Sequence, residues 1–395
     1  MESFKERHVT WLENFYDLSV SIVVYQISRN LTQDVSIHGV LSFIILFIPV
    51  WWSWIGVTFY STRFETDDLI HRLFMLLQIT ASAFMAVSVP DGLGKNSEWF
   101  ALSYALIRII LVIEYLRTRR HVPSANNLTT RYVIGFSISA VIWIISAIMP
   151  PQIRFILWMI GLTIDVGTPL IFTRNTTLHF TPHVQHLPER FGSFTIIVLG
   201  ISILGVVNGI APHNWTLYSI LSSGLGLGIA FSLWWIYFDS VDGSEIKDLQ
   251  KNKRINIYLI WLYIHFPLII GFTAIGVSVE QVVLSNQYNV LSDSVRLLLS
   301  FSAFLCLFSL GIIQITSIMT GTLSIMDATK LNRVKKYSAG IYSISTGLGV
   351  LIMGIFLNNP IFLLPVIFIG IVSAACIGQV ILDVKRHPHH RFSKF

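Results

Sequence analysis

Twelve apolar stretches separated by short polar breaks dominate the chain from end to end. They run over 11 to 29, 39 to 60, 71 to 90, 99 to 117, 131 to 149, 153 to 173, 190 to 209, 216 to 238, 256 to 279, 296 to 318, 337 to 357 and 361 to 383. At a rise of about 1.5 Å per residue, roughly twenty residues of helix cover the ~30 Å hydrocarbon core of a bilayer. The pattern predicts an all-α, polytopic integral membrane protein with about twelve transmembrane helices.

Composition supports that reading. Of 395 residues, 53% are hydrophobic and only 12% are charged, about half the charged share of a soluble domain. Mean hydropathy is +0.67. So few charges cannot cover a soluble particle, which excludes soluble enzymes, fibrous or disordered chains and nucleic-acid binders. Cys306 and Cys376 both lie in apolar stretches, with neither a disulfide framework nor zinc spacing, and read as packing residues. The first residues are mixed in charge and lead straight into a full-length apolar segment without a small-residue cleavage site, so the first helix is expected to be retained.

Basic residues set the expected orientation, because basic loops are held on the cytoplasmic side. The termini and even-numbered connections carry 22 Lys and Arg, and the odd-numbered connections four, Arg29, Lys95, Arg154 and Arg296. The count predicts both termini in the cytoplasm of a plasma-membrane protein. The net charge of +6 then reads as an insertion and anionic-lipid signal, not as a nucleic-acid footprint.

The two halves of the chain resemble each other. Glu13, Asn14 and Phe15 have a counterpart in Glu189, Arg190 and Phe191. Trp51 and Trp52 match Trp234 and Trp235, and Phe84 to Ala86 match Phe272 to Ala274, at offsets of 176, 183 and 188. Two six-helix repeats are expected, 1–175 and 176–395, pointing the same way across the membrane with sites formed where repeats meet.

Charges inside apolar stretches are the first places to look for chemistry, since intramembrane ionisable groups are expensive. Glu13 and Asp17 lie four apart, on one face of the first helix; they either attract a cation or proton or pair with a basic residue such as Arg190. Asp165 sits near the middle of the sixth span, between Gly161 and Gly167, with Pro169 freeing a carbonyl one turn back. Arg108, at mid-depth in the fourth span, is its natural partner. If the two seal against each other the pair is architectural; if they line a cavity it belongs to a transport path. His265, mid-span and followed by Pro267, suits proton relay, because imidazole titrates near neutrality, or serves as a hydrogen-bonded packing residue.

Around the end of the second span, Arg63 with Asp67 and Asp68 with Arg72 form i,i+4 pairs if the turn is helical; the run is either a solvated charged face or, through Arg63, Asp67 and Asp68 with Asp239, the gate of a cytoplasmic mouth. His179, His183, His186 and Glu189 are metal-ligand types, but Pro182 and Pro188 break the helix that would align them, and no metal is expected there or at His387, His389 and His390. Gly205 with Gly209, and Gly224, Gly226 and Gly228, read as close helix contacts. No phosphate-binding loop is present, and no cofactor is implied.

Together these segments resemble the bacterial low-temperature-requirement A (LtrA) family of membrane proteins. The matching pieces are Trp11 to Leu18, Trp51 to Trp54 with Tyr60 to Asp68, His186 to Gly200, and Trp234 to Asp239. The resemblance implies a bacterial membrane protein associated with growth at low temperature. One departure stands out: where the family continues Leu-Gly with Glu-Ser, this chain has Ile201 and Ser202, so an acid inside the seventh span is missing. A fainter similarity runs to two-repeat, six-helix potassium channels with Phe-Ser-Asp in the first helix, here Phe15, Tyr16 and Asp17.

Three functions follow as expectations. The first is a secondary transporter or ion-conducting protein handling a cation, proton or small solute, with Glu13, Asp17, Arg108, Asp165, Glu189, Arg190 and His265 at the site. The second is a membrane-embedded enzyme acting on lipid or isoprenoid substrates, and the third a scaffold or sensor of bilayer state. In each the partner is the lipid bilayer.

Overall fold

A computed structural model describes residues 8–64, 68–172, 183–211, 215–241, 243–320 and 330–386. Among the described residues there is no strand. The long helices are α1 (Trp11–Gln33), α2 (Ile37–Arg63), α3 (Leu69–Ser88), α4 (Ser97–His121), α5 (Asn126–Ile148), α6 (Pro151–Gly167), α7 (His186–Ile210) and α8 (Leu217–Ser240). A short α9 (Ser244–Asn252) precedes α10 (Ile255–Leu284), α11 (Asp293–Thr320), α12 (Lys330–Phe356) and α13 (Pro365–Arg386). Among the described residues each predicted stretch falls on a long helix, the last of them starting at Pro365.

Eleven of these segments are long and apolar enough to cross a membrane, and α1 falls short. The reason is its polar content, which includes Glu13, Asp17 and Arg29 with several serines, and most of these polar groups point inward. Tyr16, Asp17, Glu13, Ser19, Ser21 and Ser28 are buried, whereas Trp11, Phe15, Leu18 and Ile22 are exposed, Trp11 at 90%. The helix is polar inward and apolar outward, the inverse of a soluble amphipathic helix, and its outer face matches hydrocarbon.

Helix ends follow local chemistry. Asp68 caps α3 by accepting the His71 N–H at 2.8 Å, and Thr216 and Ser219 form a reciprocal capping box on α8. Arg154, expected in a loop, is buried and donates to the carbonyls of Ser146, Ala147 and Met149 at 2.9–3.1 Å, closing the end of α5. Pro169 ends the regular part of α6, which widens into a π-helical turn over Thr168–Phe172.

The chain divides into two compact units, Met1–Asn30 with Leu41–Phe194, and Leu31–Val40 with Thr195–Phe395. In the second unit small residues set the closest approach. A β-carbon on Gly205 would lie 2.2 Å from the Gly276 carbonyl oxygen, so α7 and α10 touch backbone to backbone, and Gly209 and Gly226 pack on Val283 and Val279. Gly228 faces Ser373, but Gly224, expected to do the same, has nothing within 4 Å among the described residues. Ile201, which stands where the resemblance places an acid, is buried, with its carbonyl against Gly276.

Candidate functional site: a buried charged core in the first unit

In α1 the i,i+4 spacing puts Glu13 and Asp17 on one face, and in α7 the same spacing puts His186 and Arg190 on one face. The two faces meet in matching order, so these helices lie side by side in the same direction. His186 Nε2 stands 3.0 Å from Glu13 Oε2. Arg190 Nη2 donates to Asp17 Oδ1 at 2.7 Å and to Thr58 Oγ1 at 3.3 Å, and Arg190 Nη1 lies 3.9 Å from Glu13 Oε1. Thr10 donates its N–H and hydroxyl to Glu13 Oε2 at 2.9 and 3.0 Å.

Helix α2 supplies the third wall. Trp54 donates Nε1–H to Asp17 Oδ1 at 2.8 Å. Its ring stacks on Phe194 at 4.2 Å between centroids and meets Phe191 edge-on at 5.0 Å, so the indole that orients Asp17 is itself held in place. Glu189 takes a different position, half-exposed, accepting from His8 Nδ1 at 2.9 Å and the Val9 N–H at 3.1 Å. His183 accepts from the amide of His186 at the start of α7.

Asp165 and Arg108 do pair. Both are fully buried, with Arg108 Nε 3.2 Å from Asp165 Oδ2. The same oxygen accepts from Tyr104 at 2.6 Å and Ser139 at 2.8 Å. Arg108 also donates to the Trp52 carbonyl at 2.9 Å, and its guanidinium lies 4.8 Å from the Tyr104 ring centroid and 5.0 Å from that of Phe136. Gly56 makes room for it, because a β-carbon there would sit 2.6 Å from Arg108 Nη1. Both side chains are thus shut from solvent and paired, with Asp165 Oδ1 and Arg108 Nη1 left without a hydrogen bond among the described residues.

A fourth buried carboxylate among the described residues of the first unit, Glu114 of α4, was not singled out from the sequence. It is 1% exposed and faces His71 Nδ1 of α3 at 3.5 Å. One turn further out Arg117 pairs with Asp68. The signal for Glu114 in the sequence is its place inside the fourth apolar stretch, three residues before Arg117.

The remaining expected site residues lie elsewhere. His265, in the second unit, is fully buried, with Nδ1 2.7 Å from the Trp261 carbonyl oxygen, Nε2 3.3 Å from the Tyr237 hydroxyl, and Trp261 edge-on. Asp239 is exposed at the end of α8 and accepts from Trp235 of the same helix at 3.0 Å. Arg63 donates to the Tyr132 hydroxyl at 3.1 Å and lies over the Phe59 ring. Asp67 lies outside the described residues, as do His179, His387, His389 and His390. Since α2 ends at Arg63 and α3 begins at Leu69, Asp68 is a helix cap and not part of a helical charge ladder. Among the described residues no group of three or more His, Cys, Asp or Glu is placed to hold a metal ion.

Asp68 gives a pH prediction. Its carboxyl is held below the usual carboxylate range by Arg117 and by the His71 N–H. A lowered folded pKa means that its stabilisation is complete above the ordinary carboxylate range and is lost as pH falls through the lowered value. Amide exchange in the first turn of α3 is expected to accelerate over that acid window. In Asp68→Asn, which keeps a capping side chain without the charge, the acceleration should be absent; an unchanged profile in that variant would count against the assignment.

The fold and this buried core define a polytopic, all-helical membrane protein with a charged interior in its first unit. The description of the Bacterial low temperature requirement A protein (LtrA) family matches residues 8–383, and the chain belongs to that family. It is also 27% identical over 320 residues to an uncharacterized protein of Rhizobium meliloti (strain 1021), covering 72% of this chain and 75% of that one.

Proposed function

We propose that this protein is a secondary transporter or ion-conducting protein, and that a proton or small cation is handled by the buried core of the first unit. One observation carries this reading. Four buried carboxylates, Glu13, Asp17, Glu114 and Asp165, are met at close range by two guanidinium groups, Arg190 and Arg108, and two imidazoles, His186 and His71. A buried carboxylate without a counter-charge costs several kcal/mol. Arginine keeps its charge at all relevant pH, but histidine does not. Each Glu–His pair is therefore neutral only while it holds a proton or a cation.

The roles divide accordingly. Asp165 with Arg108 is the rigid framework, and Asp17 with Arg190, oriented by Trp54, is the fixed pair beside the exchangeable Glu13–His186 pair. Several buried polar atoms here, Asp17 Oδ2, Glu13 Oε1, Arg190 Nε and the Tyr16 hydroxyl, have no protein hydrogen-bond partner, as suits groups that meet water or an ion. The like direction of α1 and α7, with Glu13 met by His186 in the first turn of α7 and Glu189 by His8 just ahead of α1, supports two parallel repeats. By the count of basic loops this end faces the cytoplasm of a plasma-membrane protein.

A second reading, a scaffold for bilayer state, is favoured by the sealed Asp165–Arg108 pair alone. Proteoliposome flux separates the two. The parent is expected to pass charge under an H+, Na+ or K+ gradient and Asp17→Asn to lose most of that flux. If none of the three gradients drives flux in the parent, transport is discarded and the scaffold reading stands.

A further inference from the structure

The Glu114–His71 pair lies on different helices from Glu13 and His186, in the hairpin of α3 and α4. It forms the second rung of an antiparallel ladder: Asp68 with Arg117, His71 with Glu114, and then Gln78, whose amide donates to the Ile107 carbonyl at 3.5 Å. Exposure falls steadily inward along it. The Asp68 side chain is 47% exposed, Arg117 19%, His71 10% and Glu114 1%. The ladder leads from solvent to a buried acid.

The geometry at the second rung is open. A charge-assisted N–H···O bond closes to about 2.7–2.9 Å, yet His71 Nδ1 stands 3.5 Å from Glu114 Oε1. Neither Glu114 oxygen, nor His71 Nδ1, nor Gln78 Oε1 makes a hydrogen bond of ordinary geometry. A buried acid beside a buried base, both incompletely satisfied, is a place where a proton adds or leaves at small structural cost. The titratable and charged groups facing the pair are Tyr16 from α1, Tyr60 from α2, Asp68 ahead of α3, and Tyr115 and Arg117 from α4. Tyr16 is also within electrostatic reach of Asp17, Arg190 and Arg108, which joins the ladder to the core described above.

We propose that His71 and Glu114 form a proton-binding site, separate from Glu13–His186, that exchanges one proton with water past Asp68 and Arg117. Uptake forms one N–H bond at His71 Nδ1, giving imidazolium beside carboxylate. Release breaks the same bond and returns the proton to water, leaving imidazole beside carboxylate, with no electron transfer. The proposal extends the transport reading to a second pair, but its test does not depend on flux.

The test is proton counting on the full-length protein in lipid nanodiscs, titrated from about pH 8 to about pH 5, the range where imidazole changes charge, with infrared difference spectra of the same samples. Glu114→Gln is expected to take up one proton per chain fewer than the parent, because the neutral amide no longer supports a buried imidazolium. In His71→Gln the proton should move to Glu114 and appear as a protonated-carboxyl absorption that the double variant lacks. Equal proton counts in parent and Glu114→Gln overturn the proposal. Should Glu114→Gln fail to fold, the absence of the carboxyl absorption in His71→Gln does so. Normal proton uptake without flux in the parent would remove the transport reading and leave this site standing; flux in the parent with unaltered uptake in Glu114→Gln would do the reverse.

Discussion

Replacing Arg108 with alanine is expected to lower unfolding free energy by about 3–5 kcal/mol, the usual cost of leaving one member of a buried ion pair alone. Asp165 would keep Tyr104 and Ser139 as donors but would lose its only contacting cation among the described residues. The Trp52 carbonyl would lose its guanidinium donor as well. Denaturant unfolding of the purified protein in detergent reads the effect. Because replacing both members of such a pair by well-packed apolar groups is often close to neutral, Arg108→Met combined with Asp165→Leu should recover most of the loss. A single-variant cost under about 1 kcal/mol, typical of an exposed pair, would show that the pair is hydrated and not sealed.

Arg190→Ala is expected to cost a similar amount, about 3–5 kcal/mol, and to bring flux to background. Its guanidinium is fully buried, contacts Asp17 at 2.7 Å and lies within 3.9 Å of Glu13, so two carboxylates on α1 lose their fixed counter-charge together. Arg190→Lys should rescue only part of this, since one ammonium cannot span Asp17, Thr58 and Glu13 as a planar fork does. A double-mutant cycle with Asp17→Asn isolates the pair: coupling of about 0.5–3 kcal/mol is the range for contacting residues. Additive effects in that cycle would mean that the contact carries no weight in the folded protein.

The helices were legible because an apolar run of spanning length has few other stable forms. Where the structure went beyond the sequence, polarity was the reason. The charged segment Ser244–Asn252 is a helix of its own, too short and polar to register beside the apolar runs. The second end of α10 extends to Leu284 because Ser278, Glu280 and Gln281 continue the turn beyond the purely apolar stretch.

Within the site, the Asp165–Arg108 pair could be anticipated, since two opposite charges at mid-span have few other partners. The pairing of Asp17 with Arg190 was also within reach, because Arg190 is the basic residue that opens the seventh apolar stretch. The Glu114–His71 pair was not legible. Sequence spacing does not show which acid near a helix end turns inward, and that depended on the antiparallel register of α3 and α4. Nor do Tyr104 and Ser139 differ in sequence from the many hydroxyls that bond only to their own helix backbone.

The inward polarity of α1 has a consequence for how the protein is made. Asp17 and its guanidinium partner are separated by 173 residues, so at roughly 5–20 residues per second the first helix waits about 9–35 s after its own synthesis before its counter-charge emerges from the ribosome. During that interval it is a poor candidate for stable residence in lipid. Its final integration is therefore expected to be coupled to the arrival of the seventh long helix, which brings Arg190 to Asp17 across those 173 residues.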